Sequence, residues 1–149
     1  MKKTHFSIVI NAPVEKVWNT MLDDATYRIW TSAFHEGSYY KGDWSEGSKI
    51  LFLGPNDDGT EGGMVSRIAV NRLHEFVSIE HQGIINKGVE DTTSDEAKKW
   101  APAFENYTFA KHDDGTELFI DVDVLPEYEE MMTGIWPKAL EKLKEISEK

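Results

Sequence analysis

The C-terminal segment constrains the fold most. Tyr128, Met131, Met132, Ile135, Trp136, Ala139, Leu140, Leu143 and Ile146 recur at helical spacing, with glutamates and lysines between them. That pattern predicts a long helix opening at Pro126-Glu127 with one apolar stripe. Burying each large side chain of such a stripe is worth roughly 1.5–3 kcal/mol, so the rest of the chain must supply a surface to cover it. Gly134 and Pro137 fall inside the pattern. Proline lacks the backbone donor and crowds the carbonyl of Thr133, which predicts a kink there or a helix start just before it.

What precedes the helix is mostly strand-like. His5, Ser7 and Val9 alternate with Phe6, Ile8 and Ile10, predicting a strand at about residues 4–11. Pro13 suits a first helical position, and Glu15 suits the first turn. Val14, Val17, Trp18, Met21 and Leu22 then predict an amphipathic helix over about 13–22, with Trp18 in the core. Asp24 can cap a second short helix, over about 25–33, that turns Trp30 and Phe34 inward. Gly37–Trp44, Ser48–Leu53, Gly63–Asn71 and Glu75–Ile85 read as strands, separated by turn-rich segments. Connections this short imply antiparallel neighbours. Residues 103–111 and 116–124 flank Asp113-Asp114-Gly115, a hairpin signal. In the second of these strands Leu118, Ile120, Val122 and Val124 share one face, and Asp121 and Asp123 share the other. The order is strand, two helices, six strands, long helix, in one domain spanning residues 1–149.

Residues 86–99 break the rhythm. They are polar and acidic, which predicts a mobile loop with one helical turn from Ser94. Such a segment is either a lid over a binding site or a solvated insertion.

Composition narrows the function classes. No cysteine is present, which excludes disulfides, thiolate nucleophiles and Cys-ligated metals. Sixteen basic against 27 acidic residues give a net charge of −11. That sign opposes nonspecific nucleic-acid binding and attraction to anionic membranes. The apolar run near the start, Ile8 to Ile10, is far shorter than a signal-peptide core or a membrane span. A cytoplasmic protein without membrane insertion is expected.

In order along the chain, Ile10-Asn11-Ala12-Pro13-Val14-Glu15-Lys16-Val17-Trp18, then Tyr27 and Trp30, resemble the opening signature of the START and pollen-allergen (SRPBCC) superfamily. Trp44-Ser45-Glu46-Gly47-Ser48, Gly63 to Ile68, Asp114 to Leu118, and Gly134-Ile135-Trp136 to Leu140 and Leu143 resemble its later motifs. The resemblance covers the whole chain. It is closest to the branch named after activators of the heat-shock protein 90 ATPase. It implies an α+β helix-grip fold: a curved antiparallel sheet around the long C-terminal helix, two short helices after the first strand, and a cavity between sheet and helix. Two features depart from that pattern: Asn71 stands where proline is common, and 86–99 is additional.

The same resemblance implies a small hydrophobic, aromatic or lipid-like ligand. Members of the superfamily also include cyclase-like enzymes and cochaperone domains, and fold alone does not choose among them. No nucleophile elbow, zinc-protease motif, phosphate loop or dinucleotide fingerprint occurs, and neither cofactor nor metal is expected. His5, His35 and His112 lie near strand ends or turns. His81 shares strand parity with Val77 and Ile79, so it is the candidate for a cavity histidine that orients a polar group of a ligand or acts as an acid or base, the alternative being a hydrogen-bonded structural residue. Glu80 has the opposite parity. Arg67 is either a cavity cation or a solvent-facing one. Of Tyr39 and Tyr40, one faces in.

The candidate ligand-binding set is Trp30, Phe52, Ile79, His81, Trp100, Phe104, Met131 and Ile135. Aromatics supply large area and, in Trp and Tyr, one donor each. Trp44, Tyr107 and Trp136 belong to the same supply, and Met64 and Met132 could adapt a pocket or fill core gaps. Three readings follow: a small-ligand binder, a cyclase- or hydrolase-like enzyme using His81, and a cochaperone-type interaction domain.

Overall fold

The computed structural model describes residues 1–149. The strands are β1 (Lys2–Ile10), β2 (Tyr39–Gly42), β3 (Lys49–Pro55), β4 (Glu61–Arg72), β5 (Phe76–Asn86), β6 (Val89–Asp91), β7 (Ala103–His112) and β8 (Gly115–Val124). They form one curved, open antiparallel sheet in the order β1-β8-β7-β5-β4-β3-β2, with β6 paired to β5. The helices are α1 (Val14–Leu22), α2 (Asp24–Trp30), α3 (Asp95–Lys99) and α4 (Glu129–Ser147). A 3₁₀ turn at Thr31–Ala33 extends α2, and another at Pro126–Tyr128 leads into α4. This is the helix-grip architecture.

Alternation explains which face of the sheet is covered. β1 pairs with β8 so that Phe6 meets Ile120 and Ile8 meets Leu118, on the face that α4 grips. Ile10, Val17, Met21, Ile120, Ala139 and Leu143 are fully buried in the main core, and Trp18 lies in it as well. A second small cluster, Leu53, Val65 and Ile85 with Tyr39 and Leu51, covers part of the opposite face. Tyr40 packs on the main core, so the two adjacent tyrosines serve opposite faces.

One irregularity decides how β5 presents its side chains. Ser66 pairs with His81, but Val65 pairs with Gly83, so Gln82 is an extra residue on β5. Such a bulge shifts the two-residue period. Ile79 and His81 therefore face the gripped side, while Ile85 faces the other.

The structure corrects the reading of 86–99. Rather than a loop, the chain turns back through Lys87 and Gly88, at φ 50° and 80°, and adds β6 to the sheet. Positive φ at both central residues suits the twist of a two-residue hairpin. Gly83 makes room for the return, since a Cβ there would stand 2.3 Å from the Asp91 carbonyl oxygen. Ser94 then caps α3 by accepting a hydrogen bond from the Ala97 N–H at 3.1 Å. Seven strands, not six, thus follow the first two helices.

Two other local questions are resolved. α4 runs through Gly134 and Pro137 without a break, so it does not start at the proline. Pro137 and Thr133 lie on the exposed side, where water can reach the carbonyl that lost its donor. Asn71, in place of proline, uses the donors a proline lacks. Its N–H reaches Glu46 Oε1 at 3.1 Å, and its Nδ2 reaches the Trp44 carbonyl at 2.6 Å.

Candidate functional site

A cavity of about 410 Å³, partly open to solvent, lies between the sheet and the first half of α4. Sixteen of its 26 lining residues are hydrophobic. Tyr128, Met132 and Trp136, four residues apart, form the helical wall. α2 contributes Tyr27 and Trp30, β3 contributes Phe52, β5 contributes His81, and β7 contributes Ala103, Glu105 and Tyr107. Trp100, between α3 and β7, packs at a tilt against Tyr128 with ring centres 5.1 Å apart.

The walls are held by their own contacts. Trp136 packs edge-on against Phe34 at 4.8 Å and lies 6.2 Å from Trp30. The Trp30 indole N–H donates to the Met21 carbonyl at 2.9 Å. Tyr40 and Trp44 both donate to the Leu22 carbonyl, at 2.6 and 3.1 Å, which satisfies the end of α1. An aromatic side chain whose donor is already engaged keeps its ring orientation.

One polar chain crosses this apolar wall. Ser66 Oγ lies 2.7 Å from His81 Nδ1, and His81 Nε2 lies 3.2 Å from Glu105 Oε1. The Tyr107 hydroxyl donates to Glu105 Oε2. A carboxylate only accepts, so the Nε2–H of His81 donates to it. In the singly protonated ring Nδ1 then accepts from the Ser66 hydroxyl. Ser66 is fully buried behind His81 and does not line the cavity. It orients the imidazole and is out of reach of a ligand as a nucleophile. Glu105 is the wall residue in which the chain converges. Burial first, then the nearby Glu105 charge, raises the pKa of both Tyr27 and Tyr107 well above the usual tyrosine value.

Of the residues singled out from sequence, Trp30, Phe52, His81 and Trp100 line the cavity. Ile79 faces the same side but is wholly packed in the core. Phe104, Met131 and Ile135 are corrections. Phe104 lies on the opposite face of β7 from Ala103, Glu105 and Tyr107, because strand side chains alternate. Its register partner is Glu80, which pairs with Arg67 at 3.0 Å on that outer face. On α4, successive residues turn by about 100°. Met131 and Ile135 therefore form a separate row beside Met132 and Trp136, and neither lines the cavity. Met131 is 49% exposed. No residue of 86–99 lines it either. Sequence reasoning missed Glu105, Tyr27 and Ser66. The signal for Glu105 was present: it shares parity with Tyr107 and Phe109, whose buried rings mark the inner face.

No group of three or more His, Asp or Glu side chains is placed to hold a metal ion. No helix is long and apolar enough to cross a membrane.

The fold recurs in solved structures. A protein from Cytophaga hutchinsonii is 20% identical, with 98% of this chain and 93% of that one covered and a TM-score of 0.71. The Aha1 dimer from Colwellia psychrerythraea is 16% identical, with 99% and 97% covered and a TM-score of 0.69. The AHSA1-like protein from Aeromonas hydrophila is 15% identical, with 97% and 90% covered and a TM-score of 0.71. No curated protein matches significantly. Identities this low show the fold alone. Residues 11–148 match the family described as Activator of Hsp90 ATPase homolog 1-like protein, and the chain belongs to that family.

Proposed function

We propose that this protein binds a small hydrophobic, aromatic or lipid-like molecule in the cavity between the sheet and α4, as one cytoplasmic domain spanning residues 1–149. The observation that carries this reading is the aromatic-walled space of about 410 Å³ beside the first half of α4, with a single polar chain reaching into it. Sites for small molecules share this character: roughly 300–1,000 Å³, mostly apolar, with a few convergent polar groups. Trp30, Phe52, Trp100, Met132 and Trp136 would contact the ligand, and Glu105 would orient it.

The two other readings have less behind them. Both ring nitrogens of His81 are engaged within the protein, so acid–base work would require it to release Ser66 or Glu105. A cochaperone role needs a contiguous exposed apolar patch. The exposed large hydrophobics, Met1, Val9, Ile29, Leu73, Val89, Phe119 and Met131, are instead spread over different elements.

The test is an amide chemical-shift titration of the nitrogen-labelled protein against neutral and charged aromatic and lipid-like compounds. Saturable shifts grouped around His81, Tyr107, Met132 and Trp136, with Leu143 unmoved, are expected. Shifts confined to the outer face of the sheet would overturn the reading.

A further inference from the structure

No lysine or arginine side chain lines the cavity; Met1, which carries the amino terminus, and His35 line it away from the polar chain of His81 and Glu105. Of the two carboxylates among the lining residues, Asp123 already has a lysine partner, Lys3 Nζ at 3.1 Å, besides the Phe104 N–H at 2.9 Å, and Glu105 has none. Glu105 has only His81 and the Tyr107 hydroxyl as partners, one on each oxygen. A carboxylate has about four acceptor sites, so each oxygen keeps one to offer. Aromatic rings stand around it. Tyr107 lies 6.4 Å from Trp136, and Phe52 lies 6.0 Å from His81. Rings with a negative face welcome a cation. A charge held in an apolar wall is most favourably answered by an opposite charge that also donates hydrogen bonds.

Resting on the binding function proposed above, we infer that the ligand is an apolar molecule carrying a protonated amine, whose ammonium sits against the Glu105 carboxylate. The ammonium is a pure donor and fits the acceptor-only carboxylate of Glu105. The apolar body lies along Phe52, Trp30 and Trp136. A fatty acid or aromatic acid seated in the same place would bring a like charge to Glu105 with no lysine or arginine beside it, so Glu105 disfavours acids. The net charge of −11 favours the approach of cations over anions.

Three matched probes test this: phenylbutylamine, phenylbutanol and phenylbutanoate, titrated at neutral pH into the labelled intact protein. They share one apolar body and differ in the head group. The amine is expected to bind about tenfold more tightly than the alcohol, and the acid most weakly. Glu105→Gln should remove the amine's advantage, costing the amine more affinity than it costs the alcohol. Saturable binding near His81 and Trp136 with the alcohol or the acid as tight as the amine overturns the amine inference and leaves the cavity reading standing. No saturable shift from any of the three overturns both. The order of the wild-type affinities decides even where the variant does not fold.

Discussion

The two halves of α4 carry the same kind of apolar pattern and meet opposite surroundings. In the second half, Ala139, Leu140 and Leu143 pack against β1 and α1 and are wholly or almost wholly buried. In the first half, Met132 touches the core only at its edge and lines the cavity, as does Tyr128 just before the helix, and Trp136 stands at the border. The difference lies in what opposes them. α1 fills the grip at one end with Val17, Trp18 and Met21. At the other end the sheet curves away and aromatic rings form walls without closing on each other. One helix thus supplies a stabilising anchor and a cavity wall, and substitution should separate the two.

The largest effect is expected at the filled end. Leu143→Ala should cost about 2–5 kcal/mol in urea-induced unfolding, since a packed site relaxes little around the hole. Met132→Ala removes a comparable side chain where space already exists. It should cost about 1 kcal/mol or less while changing affinity for apolar ligands. Equal losses for the two variants would break the comparison.

An intermediate effect concerns pH. Tyr27 and Tyr107 are buried at the cavity end beside Glu105, and their folded-state pKa values are raised. The unfolded chain therefore loses those protons first as pH climbs. Their contribution is fully present below the unfolded value of about 10, and it is lost as pH rises from there toward the folded values. Unfolding curves recorded across the alkaline range should show stability falling from that point, with phenolate absorbance of these two residues appearing only as the chain unfolds. Phenolate signal from both in the folded protein would show that the wall is more open than its burial implies.

The smallest effect is expected on the outer face. Arg67→Ala removes a partly exposed ion pair with Glu80. It should change stability by no more than about 0.5 kcal/mol and leave ligand affinity untouched. A clear loss of binding would move Arg67 into the site, contrary to its placement.

How much of this was legible in the sequence differs between fold and site. The strands, the first two helices and the long last helix follow from periods of two and 3.6, and neither requires knowledge of distant contacts. The candidate site followed from the same periods only where they were applied strictly. Phe104 has the ring a ligand site wants, but Tyr107 and Phe109 assign the other parity to the inner face. Met131 and Ile135 belong to an apolar stripe two rows wide, of which the tertiary structure brings only the row of Met132 and Trp136 to the cavity. The 86–99 segment read as a loop because β6 is short and polar and gains its order from pairing with β5, a neighbour that no local pattern specifies.

Local patterning was enough for the elements, their antiparallel succession and the amphipathic helix, because each depends on residues a few positions apart. Tertiary structure decided the bulge at Gln82 that turns Ile85 to the face opposite His81, the meeting of Ser66, His81, Glu105 and Tyr107, and the open half of the grip. Those groups come from three strands and meet only through register and sheet curvature. Cross-strand register and curvature are set by the packing of the whole sheet, so side-chain periodicity along one strand cannot encode them.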